Sequence, residues 1–156
     1  MTETKQRKIY DKVSKEEVEE KLIEIFGLEN VTRKAVDLYP YSYDMTECEA
    51  HMPDFVVLPE NNDQLVKLVK FCSNNAIPIV PYISGNNVGG LTIPEKGGIL
   101  VDFGKKMNRI LHIDENMMYA LVEPGVTFGQ LYKYLEENYP HLRYSYPFAP
   151  PYAGVV

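Results

Sequence analysis

Tryptophan is absent from the 156 residues, cysteine occurs twice and histidine three times. No apolar run approaches the roughly 20 residues that a membrane helix needs, and residues 1–8 carry no apolar segment of a secretion leader. The chain is therefore expected to be soluble and cytoplasmic, without a membrane span. Basic residues are outnumbered, 16 Lys and Arg against 22 Asp and Glu, giving a net charge of -6 and a pI near 5.1. Such a surface repels a phosphate backbone, which argues against nucleic acid as a partner. Cys48, in a loop, and Cys72, on an apolar helix face, are too few for a disulfide framework and read as free thiols. His51, His112 and His141 match no metal-ligand spacing, so no metal is expected. Also missing are a Lys-Ser or Lys-Thr pair after the glycines and any Gly-x-Gly-x-x-Gly run, which argues against a lysine-driven nucleotide hydrolase.

What is present centres on residues 77–90. Ile77, Ile79 and Val80 are β-branched and flanked by prolines, which suits a short buried strand. The chain then turns into a loop of small residues holding Gly85, Gly89 and Gly90, with Asn86 and Asn87 between them. Glycine permits positive φ and close backbone approach, and consecutive N–H groups in such a turn form a concave site for phosphate. A plain connection between strands is the alternative reading of the loop taken alone.

The surrounding elements can be placed by local signals. Ser14 with Glu17 forms a capping box ahead of Val18, Leu22, Ile25 and Phe26, a helix ended by Gly27. The tyrosine-rich segment from Tyr39 onward is irregular and either lines a pocket or covers a core edge. Phe55 to Leu58 reads as a buried strand. Asn61 with Gln64 caps a helix whose stripe is Leu65, Leu68, Val69 and Cys72. With residues 77–80 this makes a β-α-β unit with parallel strands, and the glycine loop leaves the carboxyl end of its second strand, where open α/β sheets bind ligands. Ile99 to Phe103 is a further strand, residues 110–113 and 119–122 an antiparallel hairpin, and Thr127 with Gln130 starts a helix reaching about Asn138.

Four ordered segments carry a family resemblance: Pro53-Asp54-Phe55-Val56-Val57-Leu58-Pro59, the loop at residues 81–90, Gly98 to Phe103 followed by Met107-Asn108-Arg109-Ile110, and Val122-Glu123-Pro124-Gly125-Val126-Thr127. In this order they resemble the N-terminal part of the FAD-binding domain of the vanillyl-alcohol oxidase and p-cresol methylhydroxylase flavoproteins. The resemblance is nearest to the FAD-linked oxidases of the glycolate oxidase and D-lactate dehydrogenase kind and to the 4-phenol oxidases. It implies an α+β, PCMH-type FAD-binding fold: a small parallel β-α-β subdomain followed by an incomplete second α/β subdomain. Residues 1–52 would be a lead-in and 53–156 the domain, truncated at its C-terminus and lacking a substrate domain.

The same resemblance implies FAD as cofactor, its diphosphate held by Pro81, Tyr82, Ile83, Ser84, Gly85, Asn86 and Asn87, with Gly89 and Gly90 allowing close approach. Tyr146, Pro147, Ala149 and Pro150 fall where the family has a second cofactor-binding stretch, and Gly154 begins a third. The family's covalent histidine has no counterpart between residues 52 and 111, so FAD is expected to be non-covalent. The expected function is a part of a flavin-dependent oxidoreductase acting on a 2-hydroxy acid or phenolic alcohol, inactive alone, meeting a small-molecule substrate only with the missing C-terminal part. The alternative is a non-catalytic binding or assembly module that keeps the fold without cofactor. No residue is singled out as catalytic base among Tyr41, Tyr43, His51 and His112. An apolar end at Val155-Val156 reads as a cut strand, expected to expose a sheet edge and self-associate.

Overall fold

Two central strands, β2 (Phe55–Val57) and β4 (Ile99–Asp102), are buried at every position, which follows from the apolar runs 55–57 and 99–101, with Asp102 buried at the end of β4. The computed structural model describes residues 10, 12–87, 89–145 and 149–155. Its first sheet has the order β1-β2-β4-β3, with β1 (Val31–Thr32) antiparallel to β2. β3 (Ile79–Tyr82) and β2 each run parallel to β4. The parallel β-α-β unit thus forms as the sequence suggests, but β2 and β3 are not neighbours. β4, which comes later in the chain, lies between them.

Side-chain alternation gives the sheet two apolar faces. Phe55, Val57, Ile99 and Val101 face helices α1 (Lys15–Phe26) and α3 (Asn62–Asn75), whose Val18, Leu22, Leu68 and Cys72 complete the main core. Val56, Leu100, Val80 and Tyr82 face the other way, against Leu38 and Tyr41. Those two residues come from the short helix α2 (Ala35–Leu38) and the 3-10 turn Tyr39–Tyr41. The expected capping box at Ser14 is formed, Oγ accepting from Glu17 N–H at 3.2 Å and the Glu17 carboxylate accepting from Ser14 N–H at 2.8 Å. Asn61 Oδ1 likewise accepts from Gln64 N–H at 3.0 Å. In α3 the inward stripe is narrower than expected, since Val69 is 54% exposed. α1 shares the same face of the sheet, which leaves α3 only the ridge through Leu68 and Cys72 to bury.

The second part of the chain holds the hairpin β5 (Ile110–Asp114) and β6 (Tyr119–Val122), antiparallel as expected, and helix α4 (Phe128–Asn138). Val126, Leu131 and Leu135 form a separate small core there. Gly125 joins the two parts. A Cβ on it would lie 2.4 Å from Phe103 O and 2.7 Å from Met107 O, so only glycine lets this backbone close onto the exit of β4. Among the described residues no helix is long and apolar enough to cross a membrane, and no cluster of His, Cys, Asp and Glu could hold a metal.

Candidate functional site

The carboxyl ends of β3 and β4 lie side by side, Tyr82 opposite Asp102. A cavity of about 420 Å³ opens there. Pro81, Ile83, Ser84, Gly85, Asn86 and Asn87 line it from the β3 side, joined by Thr92 further along that loop, and Phe103 lines it from the β4 side. Pro124, Ala153 and Gly154 close it from the second part of the chain. A Cβ on Gly154 would lie 2.9 Å from Ile83 Cγ2, so the wall can sit on the loop only as glycine. Gly154 is itself tied down by a bridge to Thr127.

Gly85 sits at φ +66, the left-handed region that glycine enters without penalty. Among the described residues, the backbone N–H groups of Ser84, Gly85 and Asn86 donate to no protein acceptor. Asn86 Nδ2 is buried and has no hydrogen-bond partner. A buried donor left unpaired, as Asn86 Nδ2 is, carries a desolvation cost of about 1–3 kcal/mol, and with three free backbone N–H groups beside it the site suits an acceptor. Among the described residues no Lys, Arg or His lines the cavity. An anion bound here is held by dipoles of the chain, in the manner of a backbone nest.

The two asparagines differ in role. Asn87 is spent on the loop itself: Oδ1 accepts from Gly89 N–H at 3.1 Å and Leu91 N–H at 3.0 Å, while Nδ2 donates to Thr92 Oγ1 at 3.0 Å. Thr92 Oγ1 in turn donates to Asp44 Oδ2 at 3.3 Å. Asp44 Oδ1 accepts from Thr46 N–H at 2.9 Å and from its hydroxyl at 2.5 Å.

A larger cavity of about 840 Å³ lies against the second face of the sheet and shares Ile83 and Ser84 with the first. Two of its lining residues are bonded to each other, Tyr41 Oη donating to the buried Asp102 Oδ2 at 2.7 Å, and Gly104 N–H donates to Asp102 Oδ1 at 2.9 Å. Burial pushes the Asp102 carboxyl above the usual carboxylate range, against the pull of these two donors. Burial, then the bond to Asp102, pushes the Tyr41 phenol well above its ordinary value, so it remains a donor at neutral pH. The Tyr82 phenol is raised in the same way, first by burial.

The loop residues expected from sequence are thus brought together with Gly154, and Tyr82 lines the larger cavity beside them. Gly89 and Gly90 line neither cavity. They lie in the outer turn of the loop, Gly90 packed so that a Cβ would come 3.0 Å from Cys48 Sγ. Ala149 and Pro150 line neither cavity, and Tyr146 and Pro147 fall outside the described residues. Sequence reasoning missed Thr92, Phe103, Pro124 and Ala153, and it missed Asp44. Only Asp44 carried a local signal: Asp-x-Thr is an Asx-turn sequence. His51 is half-buried, and His112 and His141 are exposed, the last paired with Glu115 at 2.5 Å.

Comparison with known proteins adds to this geometry. Residues 53–147 match a family described as FAD binding domain. The chain is 43% identical over 110 residues to the glycolate oxidase subunit GlcD of Bacillus subtilis, covering 70% of this chain and 23% of that protein. It is 40% identical over 136 residues to the 4-cresol dehydrogenase (hydroxylating) flavoprotein subunit of Pseudomonas putida, covering 85% and 26%. The solved structure of p-cresol methylhydroxylase with substrate bound superposes with a TM-score of 0.68 at 41% identity, over 76% of this chain and 24% of that one. The 4-ethylphenol oxidase of Gulosibacter chungangensis gives 0.71 at 28% identity, over 83% and 26%. The chain therefore spans about a quarter of the length of these relatives.

Proposed function

We propose, from the premise that this chain belongs to the FAD-binding domain family matched by its residues 53–147, that it holds the FAD diphosphate at the carboxyl ends of β3 and β4. It would do so as part of a flavin-dependent dehydrogenase or oxidase. The observation that carries this reading is the set of unspent donors: the N–H groups of Ser84, Gly85 and Asn86 together with the buried Asn86 Nδ2. They fit a diphosphate, whose oxygens are acceptors only, and among the described residues no histidine lines the cavity, which suits a non-covalent cofactor.

Bound flavin would supply the acceptor for a hydride from the substrate. The work of this chain is to bind and orient. Ser84, Gly85 and Asn86 would donate to the diphosphate, Pro81 and Phe103 would hold apolar contact at the strand ends, and Ala153 and Gly154 would exclude water from the far side. The names of the relatives favour a 2-hydroxy acid or a phenolic alcohol as substrate. The groups that meet substrate would lie beyond this chain, which covers about a quarter of those relatives. Helix α1 and strand β1, upstream of the matched residues 53–147, complete the same core and sheet and so belong with them to the cofactor domain.

Titration of the purified chain with FAD, followed by quenching of flavin fluorescence, tests the reading. Saturable binding displaced by ADP is expected. A chain that is folded by circular dichroism yet leaves FAD fluorescence unchanged would overturn it.

A further inference from the structure

The family match begins at residue 53, yet the loop that lines the cavity is gripped from upstream of that point. At its start, the Tyr41 ring stands edge-on to the Tyr82 ring, centroids 4.9 Å apart at 75°. Tyr41 is itself pinned by its bond to Asp102 on the neighbouring strand. Tyr82 Oη occupies the place beside Gly85, where a Cβ would come within 2.9 Å of it. The orientation of Tyr82 therefore sets the room in which Gly85 turns. At the far end of the loop, Asp44 holds Thr92, Thr92 accepts from Asn87, and Asn87 accepts the N–H groups of Gly89 and Leu91. The gripping segment is ordered by its own bonds. Ser42 Oγ donates to Tyr39 O at 2.8 Å, and His51 N–H donates to Ser42 O at 2.8 Å.

We infer that residues 39–46 are a clamp that sets the shape of the cofactor loop, with Tyr41 and Asp44 as its two positioning residues. Neither lines the smaller cavity, so they act through Tyr82 and Asn87. The inference rests on the FAD reading for its effect on affinity, but not for its effect on the loop.

The test compares Asp44→Ala, Asp44→Asn, Tyr41→Ala and Tyr41→Phe with the wild-type chain in two measurements. Amide hydrogen exchange without cofactor is expected to quicken at least tenfold at the bonded loop amides of Asn87, Gly89 and Leu91 in both alanine variants, with α3 and β4 unchanged. Asp44→Asn keeps an oxygen that accepts from Thr46 and an amide that can donate to Thr92 Oγ1, and Tyr41→Phe keeps the ring, so both are expected to stay within threefold of wild type. FAD affinity is expected to fall about tenfold in the alanine variants and to recover in the conservative ones. Unchanged loop exchange in Asp44→Ala and Tyr41→Ala overturns the clamp, as does quickened exchange spread evenly over the sheet. Wild-type chain that fails to bind FAD would overturn the cofactor reading, and the exchange measurement would still decide the clamp.

Discussion

Gly85→Ala and Gly89→Ala form a pair that separates a working glycine from a bystander. Gly85 lies at φ +66, and an added Cβ would stand 2.9 Å from Tyr82 Oη. Placing a side chain in the left-handed region costs about 1–2 kcal/mol. The contact with Tyr82 adds little, because the hydroxyl is the far end of a side chain that can swing away, although swinging disturbs its packing on Tyr41. A loop that must adopt the Gly85 conformation to bind then does so in only a fraction of molecules, and apparent affinity falls by that fraction. A cost of 1–2 kcal/mol corresponds to roughly 5- to 30-fold weaker FAD binding. At Gly89 the nearest atom to a new Cβ is Leu91 Cγ at 3.8 Å, ordinary contact, and the residue is exposed. Gly89→Ala is expected to stay within about twofold of wild type, on the scale of a surface change. Fluorescence titration of the two variants with FAD reads both values. Equal losses in the pair, or no loss in Gly85→Ala, would refute the reasoning that one left-handed residue shapes the site.

Three further outcomes are expected. Burial pushes the Cys72 thiol up to about 12 while Cys48 is exposed, so a disulfide reagent at pH 8 should titrate one thiol in the native chain and two after denaturation. Burial raises the Asp54 carboxyl, but the bonds from Lys15, Gly98 N–H and Tyr10 outweigh it and hold it below the usual range. A depressed folded-state pKa contributes stability above the unfolded value of about 4 and loses it as the pH falls through the folded one. Urea melts should show Asp54→Asn about 1–2 kcal/mol less stable at pH 7, with the gap closing in acid. Gly98→Ala should cost roughly 3 kcal/mol, a positive-φ penalty plus overpacking, because a Cβ there would lie 2.4 Å from Pro78 O at φ +90; thermal melting would measure it.

Local chemistry was legible in the sequence and distant chemistry was not. The capping boxes at Ser14 and Thr127 depend on residues three apart, and both are formed. The hairpin at residues 110–122 is announced by its Asp-Glu-Asn turn, and Asp114 Oδ1 indeed accepts from Asn116 and Met117. By contrast, the two-residue strand Val31–Thr32 is too short for alternation to register. The four-residue helix Ala35–Leu38 is likewise too short for a helical period. The place of β4 between β2 and β3 leaves no trace in any one segment. In the site, sequence picked out a run of glycines but could not rank them. The difference between Gly85 and Gly89 lies chiefly in backbone angle, and the support from Asp44 spans 48 residues.

The strand order has a consequence for assembly. β2 and β3 stand about 10 Å apart, twice the spacing of adjacent strands, with the gap filled by β4. A nascent chain that has reached Tyr82 therefore holds β2, paired on one edge only with β1, and β3, which has no sheet partner yet, and the two cannot satisfy each other in their final register. The sheet zips only when residues 99–102 are made, and with that step Asp102 arrives beneath Tyr41 and Phe103 donates to Tyr82 O. The binding loop is thus synthesised before its own foundation, and the last strand in becomes the keystone that gives the earlier one its shape.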